Sequence, residues 1–254
     1  MPKNITRVTS KLRKTAALLR NGSLRAYVPV TARMNRHTLR NMLDTHRMVY
    51  VKPNVGTFGN GVIRVEKRGK GKDAYWFQSG AKARSFRSFD AMFAALSQAK
   101  ARRPYLVQKG IHLLKHNGRR FDLRVMVQHN LQQRWETTGI IGRLAHPKKI
   151  VTNYHNGGTP MKAETLLGSH MPAARRTRMM SRLKQLGLST ARQMSRSFPG
   201  VKEIGLDVAL DHTLHPWILE VNTSPDPYIF RVLKDKSMFR KVIRYAKAYG
   251  RIRK

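Results

Sequence analysis

The clearest apolar–polar alternation lies late in the chain. GLDVAL (205–210) and WILEVN (217–222) each read as a short β-strand, and DHTLHP (211–216) between them reads as a turn. A hairpin centred between Thr213 and Leu214 places Asp207 opposite Glu220. Asn222, two residues on, shares that face. FDLRVMVQ (121–128) alternates strictly and carries Asp122, Arg124 and Gln128 on its polar side. Arg124 is there either linked to Asp122 or turned toward a ligand phosphate. Further strands are expected over 48–53, 62–65, 74–77, 105–111, 135–144 and 148–154.

Helical spacing appears elsewhere. Leu39, Met42 and Leu43 predict a helix over 38–46. Ser88 or Asp90 caps a second, with Met92, Phe93 and Leu96 on one face. Residues 172–198 read as one or two helices broken near Gly187, with Met179, Leu183 and Leu186 in the core. Ser237 caps a last helix whose buried stripe is Met238, Phe239, Val242, Ile243 and Ala246. Ser10 caps a short helix running to Arg20, stopped by Asn21-Gly22, within a basic extension over 1–24.

Composition changes the picture in two ways. Lys and Arg number 51 against 13 acids, a formal charge of +38, which predicts nonspecific binding to polyanions. There is no cysteine, so thiol nucleophiles, disulfides and Cys-ligated zinc are excluded. No apolar run approaches the ~20 residues of a membrane span. The longest apolar stretch near the N-terminus, 16–19, is too short for a signal-peptide core. A cytoplasmic protein is the reading.

The scarce acids are also clustered: five of the 13 lie in 203–226. Two facing carboxylates and an amide are hard oxygen donors and suit Mg²⁺ held together with phosphates. The same pair would equally suit resident Lys or Arg partners. Between strands 48–53 and 62–65 lies a loop with Gly56, Gly59 and Gly61, whose N–H groups can wrap an anion. Lys52, at the end of the entering strand, aims an ammonium the same way. The loop is not a Walker A motif, since it lacks the Gly-Lys-Ser/Thr ending and leads to a strand.

YVKPNVGTFGNGVIRV, YLVQKGI, RRFDLRVMVQ, VTNYHNGG, GLDVALD and WILEVNTSP follow one another in an order that resembles the ATP-grasp superfamily. The resemblance is to its YheC/YheD-like branch, the endospore coat-associated proteins. It implies an α+β fold of two lobes with antiparallel sheets enclosing ATP, over 25–105 and 106–254, with the preceding domain reduced or missing. It implies phosphate contacts from Lys52 and from Gly56, Thr57, Phe58, Gly59 and Gly61. Gln108, Lys109, Gly110 and Ile111 match the adenine hinge, and Arg124 matches the arginine that meets the γ-phosphate. Asp207, Glu220 and Asn222 match the ligands of Mg²⁺, or of Mn²⁺ in its place. Many members have an acid where this chain has Gln108. Where many hold ribose with a carboxylate, this chain has Lys115 and His116.

Two functions are thus expected. One is an ATP- and Mg²⁺-dependent ligase that joins a carboxylate to an amine or other nucleophile, with an acidic small molecule, peptide or polymer as substrate. The other is a basic spore coat or core protein that binds a polyanion and retains ATP binding. Either is compatible with a coat or forespore location.

Overall fold

A computed structural model describes residues 5–252; residues 1–4 and 253–254, the outer ends of the expected extension and domain, lie outside it. The chain forms α1 (Lys11–Leu19), α2 (Gly22–Arg25), β1 (Thr31–Arg33), α3 (Arg36–His46), β2 (Met48–Pro53), β3 (Ile63–Lys67), β4 (Tyr75–Ser79) and β5 (Lys82–Phe86). There follow α4 (Phe89–Ala99), β6 (Tyr105–Lys109), β7 (Lys115–His116), β8 (Arg119–His129), β9 (Trp135–Leu144) and β10 (Thr159–Lys162). The remainder is α5 (Ala163–Gly168), α6 (Ala173–Ser197), β11 (Glu203–Leu210), β12 (Pro216–Asn222) and α7 (Ser237–Ala248).

The elements make an α+β protein of two lobes, each built on an antiparallel sheet. The first sheet runs β1-β6-β2-β3-β4-β5. Alternate residues Val49, Val51, Ile63, Val65, Phe77 and Val107 share a face and pack on α3 and α4. The helices start where short polar side chains satisfy a free N–H: Asn35 accepts from Thr38 N, and Ser88, not Asp90, accepts from Ala91 N. The second sheet runs β10-β9-β8-β11-β12, with β7 paired to β8. Phe121, Leu123, Val125 and Val127 of β8 point into a core shared with α1, α2, α5 and α6. The opposite face is divided. Met126 and Ile141 pack under α7 and residues 228–233, while Asp122, Arg124, Arg143 and Asp207 stand free of that apolar cover.

Several elements differ from the sequence reading, each for a physical reason. Residues 11–25 fold into the second lobe, where Ala17, Leu18 and Leu24 are buried in its core. Their apolar stripe is short, so the surrounding cations dominated the local pattern. Ser10 does cap α1, through Arg13 N. Residues 148–154 are not a strand: they form a loop ending in a 3-10 turn at Tyr154–Asn156. The β-partner of β9 comes later, in β10. Nor is α6 broken at Gly187. A Cβ there would stand 2.9 Å from Val127 Cγ2 and 3.0 Å from Val125 Cγ1, so the glycine lets the helix sit close on the sheet. Ser237 is the first residue of α7, and Asp235 accepts from its N–H and hydroxyl.

Gly187→Val should therefore act as overpacking rather than as helix repair. It should lower stability by about 1–3 kcal/mol, read as an earlier urea midpoint at unchanged slope. A variant as stable as the parent would contradict the close contact.

Candidate functional site

The polar end of the second sheet faces the first lobe across a cleft. Strand pairing sets out its charges. Asp122 is cross-strand from Arg143, Arg124 from Asp207, and Asp207 from Glu220. Opposite charges thus face each other between β9 and β8 and between β8 and β11, whereas two carboxylates face each other between β11 and β12. Arg143 binds Asp122 with Nε at 2.8 Å and Nη2 at 2.5 Å, and its Nη2 lies 3.0 Å from Asp207. Arg124 Nε donates to the other Asp207 oxygen at 2.7 Å. All four side chains are more than nine-tenths buried. Arg124 is therefore linked to Asp207 and not to Asp122. Burial alone would push the Asp207 carboxyl up, but Arg124 and Arg143 outweigh it and hold the pKa at about 2. Burial likewise opposes the Arg143 charge, yet Asp122 and Asp207 hold its pKa above the ordinary value.

Asp207 meets Glu220 by a route the sequence did not show. The turn is centred on Thr213, since Leu210 pairs with Pro216. A bulge at Leu219 then shifts the register, so that Asp207 faces Glu220 and Gly205 faces Asn222. Asp211 holds the turn by accepting from Thr213 N, His215 N and Trp217 Nε1.

Glu220 also has resident cations. Lys11 Nζ lies 3.3 Å from its Oε1 and Lys14 Nζ 3.9 Å, both from α1. Lys11 also donates to Gly56 O at 2.8 Å, tying α1 to the glycine loop. The two carboxylates thus have counter-charges within the protein. Glu220 Oε2 and the Asn222 amide nonetheless have no partner among the described residues, and both residues line the cleft. These are hard oxygen donors of the kind that would take a Mg²⁺-sized cation, and Asp207 beside them is already held by two arginines.

The first lobe contributes the other wall. Lys52 extends from the end of β2, and its Nζ donates to Gln108 Oε1 at 2.5 Å. It joins no ion pair among the described residues. Burial lowers its pKa to about 8, with Glu220 close enough to oppose the shift. At the end of β6, Lys109 N donates to Val30 O and Gly110 N to Met48 O, while Ile111 N has no partner among the described residues. That leaves a free N–H at the cleft wall where the strand stops. Thr57, Phe58 and Gly59 line the cleft; Gly56 and Gly61 lie instead against Pro53 and Arg103, and Gly110 against Met48.

Residues missed by sequence reasoning cluster on the opposing loop. Phe58 has φ +60°, and its ring lies 4.1 Å from that of His155. Asn156 Nδ2 donates to Phe58 O. A Cβ on Gly59 would approach Asn153 Oδ1 to 2.8 Å, so only a glycine brings the two loops this close. Arg143 was missed as well. Its strand is buried on both faces and shows no alternation from which to pick it out. Lys115 and His116 do not line the cleft; Leu113 does.

A family model described as YheC/D like ATP-grasp matches residues 4–252. The chain belongs to that family. Two curated relatives come from Bacillus subtilis (strain 168). Endospore coat-associated protein YheD is 26% identical over 195 residues, 74% of this chain and 42% of its own length. Endospore coat-associated protein YheC is 20% identical over 209 residues, 82% of this chain and 57% of its own. The chain thus spans about half the length of these relatives. Among solved structures, D-cycloserine synthetase DcsG aligns with a TM-score of 0.55 at 13% identity, covering 95% of this chain and 70% of that one. The C-terminal domain of Pby1 from K. lactis, an ATP-grasp enzyme, aligns at 0.51 and 15% identity, covering 93% and 72%. These likenesses show the ATP-grasp fold, whose two lobes are the two sheets described above.

Asp207 generates a pH prediction. Its pKa of about 2 lies below the ordinary 3.8, so its stabilisation is present above pH ~4 and is lost as pH falls toward ~2. The loss should be about 2 kcal/mol in denaturant midpoints taken from pH 5 to pH 2. Asp207→Asn should be less stable at pH 7, with two arginines short of a counter-charge, and should lack this component of the acid slope.

Proposed function

We propose that the chain is an ATP- and Mg²⁺-dependent ligase that activates a carboxylate as an acyl phosphate for attack by an amine or another nucleophile. The observation that carries this reading is Lys52. It is an ammonium in a desolvated position, bonded to a neutral amide, facing two hard donors and a free backbone N–H across one cleft. Such a cation favours an anionic guest, and a triphosphate is the guest that would use all of these groups.

Each residue then has a task. Ile111 N and the Lys109 carbonyl would hold the adenine edge. Lys52 would meet the α- or β-phosphate, with Thr57, Phe58 and Gly59 over the chain of phosphates. Arg124, fixed by Asp207, would face the γ-phosphate. Glu220 and Asn222, with Asp207 behind, would hold Mg²⁺, which screens phosphate charge when bound. A carboxylate oxygen of the substrate attacks the γ-phosphorus, the bond to the β-phosphate oxygen breaks, and ADP leaves. The nucleophile then attacks the acyl carbon, loses its proton, and inorganic phosphate leaves. The protein positions and neutralises, and no protein nucleophile is needed. That agrees with a chain without cysteine.

Two structural neighbours support the reading. One is N5-carboxyaminoimidazole synthase from Aspergillus clavatus with ADP, TM-score 0.55 at 11% identity, covering 93% of this chain and 50% of that one. The other is ATP-grasp ligase PsnB complexed with a minimal precursor, TM-score 0.54 at 12% identity, covering 94% and 60%. A coat or core protein with residual ATP binding is the second reading, favoured by the charge of +38. Residual ATP binding would account for a desolvated Lys52 as well, so turnover with an acceptor pair is what separates the two readings. The names of YheC and YheD support placement at the spore coat under either reading.

Three measurements test the proposal. Purified protein with ATP and Mg²⁺, screened against carboxylate and amine acceptors, should release ADP and phosphate only when a matched pair is present. No release across a broad screen, with ATP bound, would favour the second reading.

Lys52→Met should weaken ATP binding by about 10–100-fold, the range expected for losing one charge-assisted hydrogen bond. The apo melting temperature should not fall, because a desolvated charge is removed. Phosphate raises the Lys52 pKa from about 8, so ATP binding near pH 8.5 should take up a proton and affinity should fall as pH rises further. Calorimetry in buffers of different ionisation heat reads this directly, and Lys52→Met should abolish it.

Glu220→Gln should lower the apo melting temperature, because Lys11 and the buried Lys14 lose their counter-charge. The same variant should lose any extra stabilisation that ATP and Mg²⁺ give together over either alone. An unchanged apo stability would remove the ion-pair reading of Glu220, and retained synergy would remove its metal role.

A further inference from the structure

The longest helix, α6, carries seven cations and no acid over 25 residues. Its buried side is Met179, Leu183, Leu186, Gly187, Thr190, Ala191 and Met194, seated on β8 and β9 opposite the cleft. At ~100° per residue, Arg175, Arg178, Arg182, Arg192 and Arg196 fall on one stripe facing away from that core. All five are exposed. No ion pair among the described residues includes a side chain of α6. This contrasts with α7, where Lys241 is paired with Glu136. Arg182 is oriented from beside the stripe, its guanidinium 5.5 Å from the Tyr27 ring centre and its Nη2 3.4 Å from the Tyr27 hydroxyl.

We propose that this arginine stripe is a docking track for the phosphate backbone of duplex DNA, bound without sequence preference. Four features select that partner. The stripe runs from Arg175 to Arg196, about 31 Å at the rise of an α-helix, close to one turn of B-DNA at roughly 34–36 Å. Its cations are arginines, whose forked donors match phosphate oxygens better than lysine does. The helix has no aromatic residue, so it offers no stacking platform for single-stranded bases. Its apolar face is spent on the core, so it cannot enter a lipid surface as an amphipathic helix. The track is on the far side of the second sheet from the cleft, and it stands independently of the ligase reading.

Two charge-matched triple variants test it. Arg178→Gln, Arg192→Gln and Arg196→Gln remove three track cations. Arg240→Gln, Arg244→Gln and Lys247→Gln remove three exposed cations from α7. Fluorescence anisotropy with a duplex of about 20 base pairs is measured from ~50 to ~200 mM salt. The α6 variant should lose at least about tenfold in affinity, and its salt slope should drop by about 3, near 0.9 per lost contact. The α7 variant should change little. Single-stranded DNA and inorganic polyphosphate at equal phosphate concentration should bind more weakly than the duplex. Melting curves of both variants should match the parent, since all six side chains are exposed. Equal losses in the two variants would overturn the track in favour of diffuse charge. Tighter binding of polyphosphate or single strands would overturn duplex DNA as its occupant.

Discussion

Everything in the cleft rests on the alternation Arg143–Asp122 and Arg143–Asp207–Arg124 across three neighbouring strands. Burying one such charge alone would cost several kcal/mol; burying four in alternation leaves each with a counter-charge and a hydrogen-bond partner. The sheet makes this possible because cross-strand neighbours share a face. The Asp122–Arg143 and Arg124–Asp207 pairs are both register pairs, so pairing of the backbone and pairing of the charges are one event. A slip of one residue in any of these strands would turn that strand's charges into the core occupied by Leu123, Val125 and Leu206. The ladder therefore fixes register as well as chemistry.

A floor built this way has a consequence for what lies above it. Arg124 and Arg143 are held by carboxylates and cannot swing to follow a guest, so they present fixed positive charge at low reorganisation cost. Glu220 is different. It is less buried, its partners are Lys11 and Lys14 of α1 at 3.3 and 3.9 Å, and its second oxygen has no partner among the described residues. Rigid cations beside one less constrained acid would suit the phosphate and small cation of the proposed reaction. α1 thus belongs to the cleft's electrostatics, although it reads as part of a charged extension.

Much of this was legible, and the failures have a common cause. Strict alternation marked β8, and the β11–β12 pair showed itself by its clustered acids. The Asp207–Glu220 pairing was reached with a turn centred half a residue away and without the Leu219 bulge, and the two differences cancel. Local pattern fails where tertiary packing changes what a residue means. Gly187 reads as a breaker and is a close contact; residues 148–154 read as a strand and are a loop wall. Arg143 lies in a strand buried on both sides, where periodicity carries no signal. Asp207 could not be assigned to arginine or metal, because its neighbours come from strands 64 and 83 residues away.

The roof of the cleft is held quite differently from its floor. Phe58 meets His155 through exposed rings, Asn156 reaches the Phe58 carbonyl, and Lys11 reaches that of Gly56. Exposed aromatic and polar contacts of this kind are worth of order 1 kcal/mol each, far less than the buried ladder. The loop between them carries Gly56, Gly59 and Gly61 at positive φ, so its backbone can change course without a side-chain penalty. Local opening draws on the least-held segments of a fold. The glycine loop is such a segment, and it lies where a large polar guest must pass. Opening it leaves Arg124, Arg143 and β6 in place, so entry of a guest need not disturb the groups that would bind it.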